Sequence, residues 1–110
     1  MLAFDKFQQE QGEFVNLRNL ARGQDCTIRL PDICCFDNDT TVLAHVRLGG
    51  ISGMGYKAFD LLGAHACHKC HAVVDSPATY GVERDYARLA HLEGMVRTIA
   101  KLIEEGVVKT

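Results

Sequence analysis

A chain of 110 residues with a formal net charge of -2, 47% of it hydrophobic and 24% charged, has room for one domain but not for two. No apolar run approaches the roughly 20 residues that span a bilayer, and Met1 to Gln11 lack the basic-then-apolar order of a secretory leader, so a soluble, cytoplasmic protein is expected. The acidic balance argues against nucleic-acid binding through bulk charge and requires any DNA contact to be local or shared with a partner, while five cysteines in a reducing compartment point to metal ligation rather than disulfides.

Residues 1–16 read as an N-terminal extension, because the apolar positions Leu2, Phe4, Phe7, Phe14 and Val15 are only partly at helical spacing and Gln8 to Gly12 interrupt them. Residues 17–110 form the domain. Arg22-Gly23 closes any helix there. Cys26-Thr27-Ile28-Arg29-Leu30 then predicts a short strand, with Pro31-Asp32 as its turn and Cys34 just beyond. Phe36 to Thr40 is a polar loop, and Thr41 to Val46 is a β-branched strand with His45 near its end. Four glycines between Gly49 and Gly55 favour neither helix nor strand, and their spacing is not that of a dinucleotide fingerprint.

Asp60 to Ala66 predicts a second extended segment that returns the chain to Cys67. His71 to Asp75 predicts a short helix, stopped at Ser76-Pro77 because proline disfavours helical geometry in the residue before it. From Gly81 to Glu105 the apolar residues Val82, Tyr86, Leu89, Leu92, Val96, Ile99 and Ile103 recur at intervals of three and four, which predicts a long amphipathic helix. Gly94 weakens it by roughly 1 kcal/mol relative to alanine, and Gly106 is placed to cap it.

The chemistry concentrates in Cys67-His68-Lys69-Cys70-His71. Thiolates at i and i+3 can grip one soft metal, and Cys26 with Cys34 would complete a tetrahedral four-thiolate zinc site. Cys35 adjoins Cys34 and could take its place. A redox pair at Cys67 and Cys70 leaves the upstream thiols without a role. A c-type haem at Cys67-x-x-Cys70-His71 has the same defect and also needs an export route. His71 and Asp75, at i and i+4, face the same way on a helix beginning there.

A strand ending near His45, a glycine-rich loop, Asp60-Leu61 and then Cys67-x-x-Cys70-His71-x-x-x-Asp75 together resemble the HNH nucleases. With Cys26-x7-Cys34 and Leu43-Ala44-His45-Val46-Arg47-Leu48 added, the pattern is more closely similar to the prophage-borne YbcO-type nucleases, relatives of the RecA-dependent Ref nuclease. The resemblance implies an α+β fold, a zinc-stapled ββα-metal unit with a long C-terminal helix. It implies His45 as the general base, Asp60 in the place of the usual Asn, His71 and Asp75 as ligands of a catalytic divalent metal, and Cys26, Cys34, Cys67 and Cys70 as ligands of structural Zn2+. Ala44 stands where many such enzymes carry a metal-binding Asp or His, and Asp75 where a last His is usual. Fewer imidazoles and more carboxylate oxygen favour Mg2+ or Mn2+ in the catalytic role. The implied activity is a metal-dependent DNA endonuclease or nickase in phage recombination, with a RecA-type filament as a partner and Arg22, Arg47 and Lys57 as local DNA contacts. The departures at Ala44 and Asp75 keep open an alternative, a zinc-stabilised DNA-binding or phage-assembly module without catalysis.

Overall fold

The computed structural model describes residues 16–47 and 59–108; the N-terminal extension up to residue 15, the glycine-rich segment and Lys57 lie outside them. The fold is α+β. A short helix, α1 (Leu17–Ala21), precedes an antiparallel pair, β1 (Val42–His45) and β2 (Gly63–Ala66), in which Val42 faces Ala66 and His45 faces Gly63. Helix α2 (His68–Asp75) follows β2 directly, and α3 (Arg84–Glu104) closes the fold after a 3-10 turn at Pro77–Tyr80. Asn16 starts α1 with a side-chain oxygen that accepts from the amides of Arg18 and Asn19 at 3.0 and 3.2 Å, two donors that a helix start otherwise leaves without partners. No helix among the described residues is long and apolar enough to cross a membrane.

Strand β2 is buried along its whole length, and its Gly-Ala-His-Ala sequence lets α3 lie close against it. The helix turns Ala87, Gly94, Thr98 and Leu102 inward. A Cβ on Gly94 would stand 2.8 Å from Ile28 Cγ1 and 3.2 Å from both Ala64 Cβ and Ile28 Cα. Glycine therefore allows a close approach here, and helix propensity is the smaller effect. Gly94→Ala is expected to destabilise the protein by about 1–3 kcal/mol, against the gain of roughly 1 kcal/mol that propensity alone forecasts. A chemical-denaturation midpoint higher than that of the wild type would contradict this packing.

Three expectations are corrected. Cys26 to Leu30 is not a strand. Thr27 does pair with β2, its amide and hydroxyl both donating to the His65 carbonyl at 2.7 and 3.0 Å. Arg29, however, sits at φ 53°, outside the extended region, and turns the chain so that Cys26 faces inward. Helix α2 begins at His68 rather than His71, because Cys67 itself caps it, its sulfur accepting from the Cys70 amide at 3.5 Å. The third correction concerns α3. Its regular apolar stripe does not face this chain's core: Tyr86, Leu89, Val96 and Ile103 are 50%, 56%, 61% and 40% exposed. The inward face is instead made of small residues, which the close fit to β2 requires.

Two packed clusters result. One joins Cys26, Ile28 and Leu30 to Ala44, Ala64, Ala66, Cys67, Cys70 and Val73, so the thiols are part of the core. The other ties Leu17 of α1 to Leu102 and Val108 at the far end of α3. Gly106 at φ 75° ends α3, and the amides of Val107 and Val108 return to the Leu102 carbonyl at 2.9 and 3.1 Å.

Candidate functional site

The sulfurs of Cys26, Cys34, Cys67 and Cys70 all lie within 4.8 Å of one another. Cys34 and Cys67 are 3.8 Å apart, too far for a disulfide. That distance matches the edge of about 3.8 Å expected of a sulfur tetrahedron with metal–sulfur bonds of about 2.3 Å. The electrostatics agree with the geometry. A hydrogen bond from Cys70 lowers the Cys26 thiol to about 4, the same bond pushes Cys70 far above the ordinary range, and burial pushes Cys34 up to about 11. Cys26 is thus favoured as thiolate while Cys34 and Cys70 are disfavoured, an imbalance that a bound cation would relieve. The four cysteines could bind a metal such as zinc. Cys35 is not one of them, since its sulfur turns toward Thr40 Oγ1 and His68 Nδ1, 3.8 Å from each. The backbone amides around Ile28 and Arg29 add donors to the Cys26 sulfur, and Arg29 Nε donates to the Cys26 carbonyl at 3.0 Å, which fixes the turn that aims the thiol.

A groove of about 440 Å³ opens between the end of β1, the end of helix α2 and the first half of α3. His45, Arg47, Asp75, Arg84, Arg88 and His91 line it together with four apolar side chains. His45 Nε2 is 2.8 Å from Asp60 Oδ1, and both side chains are largely covered, at 20% and 16% exposure. Arg18 Nε donates to the same oxygen at 3.0 Å and holds the carboxylate from a second side. With Nε2–H donated to Asp60, a neutral His45 keeps its lone pair on Nδ1.

His71 is half-buried on α2, and Asp75 reaches the groove one turn further on. Among the described residues the four thiols are the one set of three or more His, Cys, Asp or Glu with ligand atoms this close, so no third protein ligand joins His71 and Asp75 at that range. Hydrated Mg2+ or Mn2+ keep several waters and take further ligands from phosphate oxygens, so such an ion could be held by as few as two protein groups. Of the arginines proposed for DNA contact, Arg47 lines the groove, whereas Arg22 sits exposed at the end of α1 and outside the lining. Arg29 is occupied by the Cys26 carbonyl and Arg18 by Asp60.

Sequence reasoning missed Arg84, Arg88 and His91, which share one face of α3 at spacings of four and three. That spacing was the available signal, hidden by the stronger apolar stripe alongside it. His91 Nε2 donates to the Ala44 carbonyl at 2.9 Å, and burial pushes the His91 pKa down, which keeps the ring neutral. The small Ala44 side chain is fully buried in this corner, so the residue that lacks a metal-binding group is backed by an imidazole from α3.

A two-stranded antiparallel pair running into a helix, four convergent thiols and a His–Asp pair beside an arginine-bearing groove make a small α+β domain whose thiols could hold a metal. The chain belongs to the family described as "Putative nuclease YbcO", whose model matches residues 15–107. It is 44% identical over 94 residues to the Escherichia coli K12 protein of that name, an alignment that takes in 86% of this chain and 97% of the relative. The protein of Enterobacteria phage 82 matches to the same extent. The solved structure of a "putative bacteriophage protein" from E. coli K-12 superposes with a TM-score of 0.70 at 38% identity, covering 83% of this chain and all of that one.

Proposed function

We propose that the protein is a metal-dependent DNA endonuclease or nickase of the HNH type. The observation that carries this reading is the His45–Asp60 pair at the mouth of a groove bearing Arg47, Arg84 and Arg88. The nuclease names of its E. coli and phage 82 relatives, at 44% identity across almost their full length, support it.

Phosphodiester hydrolysis needs a nucleophilic water and relief of the charge that builds on phosphorus and on the departing oxygen. In this reading Asp60 holds the His45 ring so that Nδ1 faces the groove, and Nδ1 takes the proton from water. Arg84 and Arg88, with no ion-pair partner among the described residues, hold the phosphates flanking the scissile bond and offset the chain's net acidity locally. His71 and Asp75 would hold Mg2+ or Mn2+, which supplies charge stabilisation at the leaving oxygen. His91 keeps the end of β1 in place through the Ala44 carbonyl.

A supercoiled plasmid incubated with the protein and Mg2+ or Mn2+, with and without a recombinase filament, tests the reading. Nicks that require the divalent ion are expected, and the Arg84→Ala/Arg88→Ala double variant should need roughly tenfold more DNA to reach half-maximal rate. DNA binding without cleavage under every condition would leave a zinc-stabilised binding module instead.

A further inference from the structure

The most regular apolar pattern in the chain is the one its own fold does not use. Leu89, Val96 and Ile103 stand seven residues apart on α3, with Leu92 and Ile99 half-buried between them. This is the a/d order of a coiled-coil seam over a helix of 21 residues. The opposite face, Ala87, Gly94, Thr98 and Leu102, already covers β2. Three large aliphatic side chains that are 40% to 61% exposed in one line form a continuous patch, unlike the scattered apolar residues of an ordinary surface.

From this pattern we infer that α3 pairs with α3 of a second copy, antiparallel, about a two-fold axis near Val96. Val96 is the midpoint between Leu89 and Ile103, so the axis lays Leu89 beside the partner's Ile103 and maps the seam onto itself. Charge selects this direction. Glu93 and Arg97 share one rim of the seam without an ion pair between them, and Arg97 Nη1 donates to the Thr27 carbonyl at 2.7 Å, which fixes where its remaining donors stand. An antiparallel pairing sets Glu93 within about 3 Å, along the axis, of the partner's Arg97, given a rise of about 1.5 Å per residue. A parallel pairing would put Glu93 and the partner's Arg97 on opposite sides of the seam, out of reach of each other. Beside Leu89, a notch of about 270 Å³ between Leu30, Pro31 and Tyr86 can take the C-terminal end of the partner's helix. Nucleic acid does not suit a stripe this apolar, and the arginine groove meets the seam only at its edge, through Leu92. The inference does not depend on the nuclease reading.

Sedimentation of the full chain over a range of concentrations is expected to show a monomer–dimer equilibrium with a dissociation constant on the order of micromolar. Val96→Glu should raise that constant by at least about 100-fold while leaving metal content and circular dichroism unchanged. Orientation is read by cross-linking. In a Cys35→Ser background, Val96→Cys should join to itself through a short thiol cross-linker. Leu89→Cys and Ile103→Cys should fail to self-join but link to each other when mixed. A chain that stays monomeric at all concentrations, its stripe covered by residues 1–15 or by nothing, would overturn the inference. So would a dimer that tolerates Val96→Glu, or equal self-joining at all three positions.

Discussion

Stripping the metal from protein purified without chelator is expected to abolish its cooperative thermal transition, and Cys26→Ser or Cys70→Ser should do the same. The four sulfurs belong to the main core cluster, where they tie the irregular segment from Cys26 to Cys34 onto the start of α2. That segment has no strand of its own, and Thr27 supplies only two hydrogen bonds to β2. A structural zinc contributes an apparent 10–16 kcal/mol in small domains, roughly the whole of a domain's usual stability of about 5–15 kcal/mol, so its loss decides whether the fold persists. Serine keeps the volume but loses the soft ligand. Elemental analysis should find one zinc per chain in the wild type and in Cys35→Ser, because Cys35 is not among the four converging thiols. Protein free of zinc that melts as sharply as the metal-bound form would end the structural assignment.

How much of this was legible in the sequence depended on whether local chemistry or distant packing decided the outcome. The four-thiol cluster was readable, because cysteine pairs in a reducing compartment have few other uses, and the structure selects Cys34 over Cys35 as the sequence match suggested. The hairpin was readable from its β-branched run, and the stop of α2 from Ser76-Pro77. The start of α2 was not, since a cysteine is a rare helix cap and Cys67 takes that role only because its sulfur is already held in the cluster. The segment from Cys26 to Leu30 has strand composition, yet the demand that Cys26 face the other thiols overrode it through Arg29. For α3 the sequence announced the helix and concealed its orientation. Periodicity finds large apolar residues, while contact with the alanines and glycine of β2 selects small ones, so Gly94 and Thr98 face inward and Leu89 and Val96 do not. His91 shows the same limit at the site: nothing local distinguishes it from a surface histidine, and its bond to the Ala44 carbonyl spans 47 residues.

His45→Ala is expected to lower cleavage by roughly 10²- to 10⁴-fold while leaving zinc content, fold and divalent-metal affinity nearly unchanged. The argument rests on a separation of roles. His45 offers Nδ1 as a proton acceptor, and its other nitrogen is committed to Asp60 at 2.8 Å, so its loss removes a base and not a ligand. Asp60→Ala should fall between the variant and the wild type. It frees the ring to rotate and also strips Arg18 of its partner, whereas Asp60→Asn keeps an oxygen that can accept from Nε2 and should retain most of the activity. His71→Ala should behave differently again. Losing an imidazole ligand weakens the hold on the divalent ion, so part of that defect ought to recover at high Mn2+. No metal concentration can replace the missing base in His45→Ala. If His45 instead only holds the end of β1 against Asp60, the substitution would lower the melting temperature and leave the cleavage rate of folded protein alone. Single-turnover plasmid nicking across a Mn2+ titration, run beside a thermal melt for each variant, separates these outcomes. A folded His45→Ala protein that cuts at the wild-type rate would take the general-base role away from this residue, and the groove's chemistry would have to be reassigned.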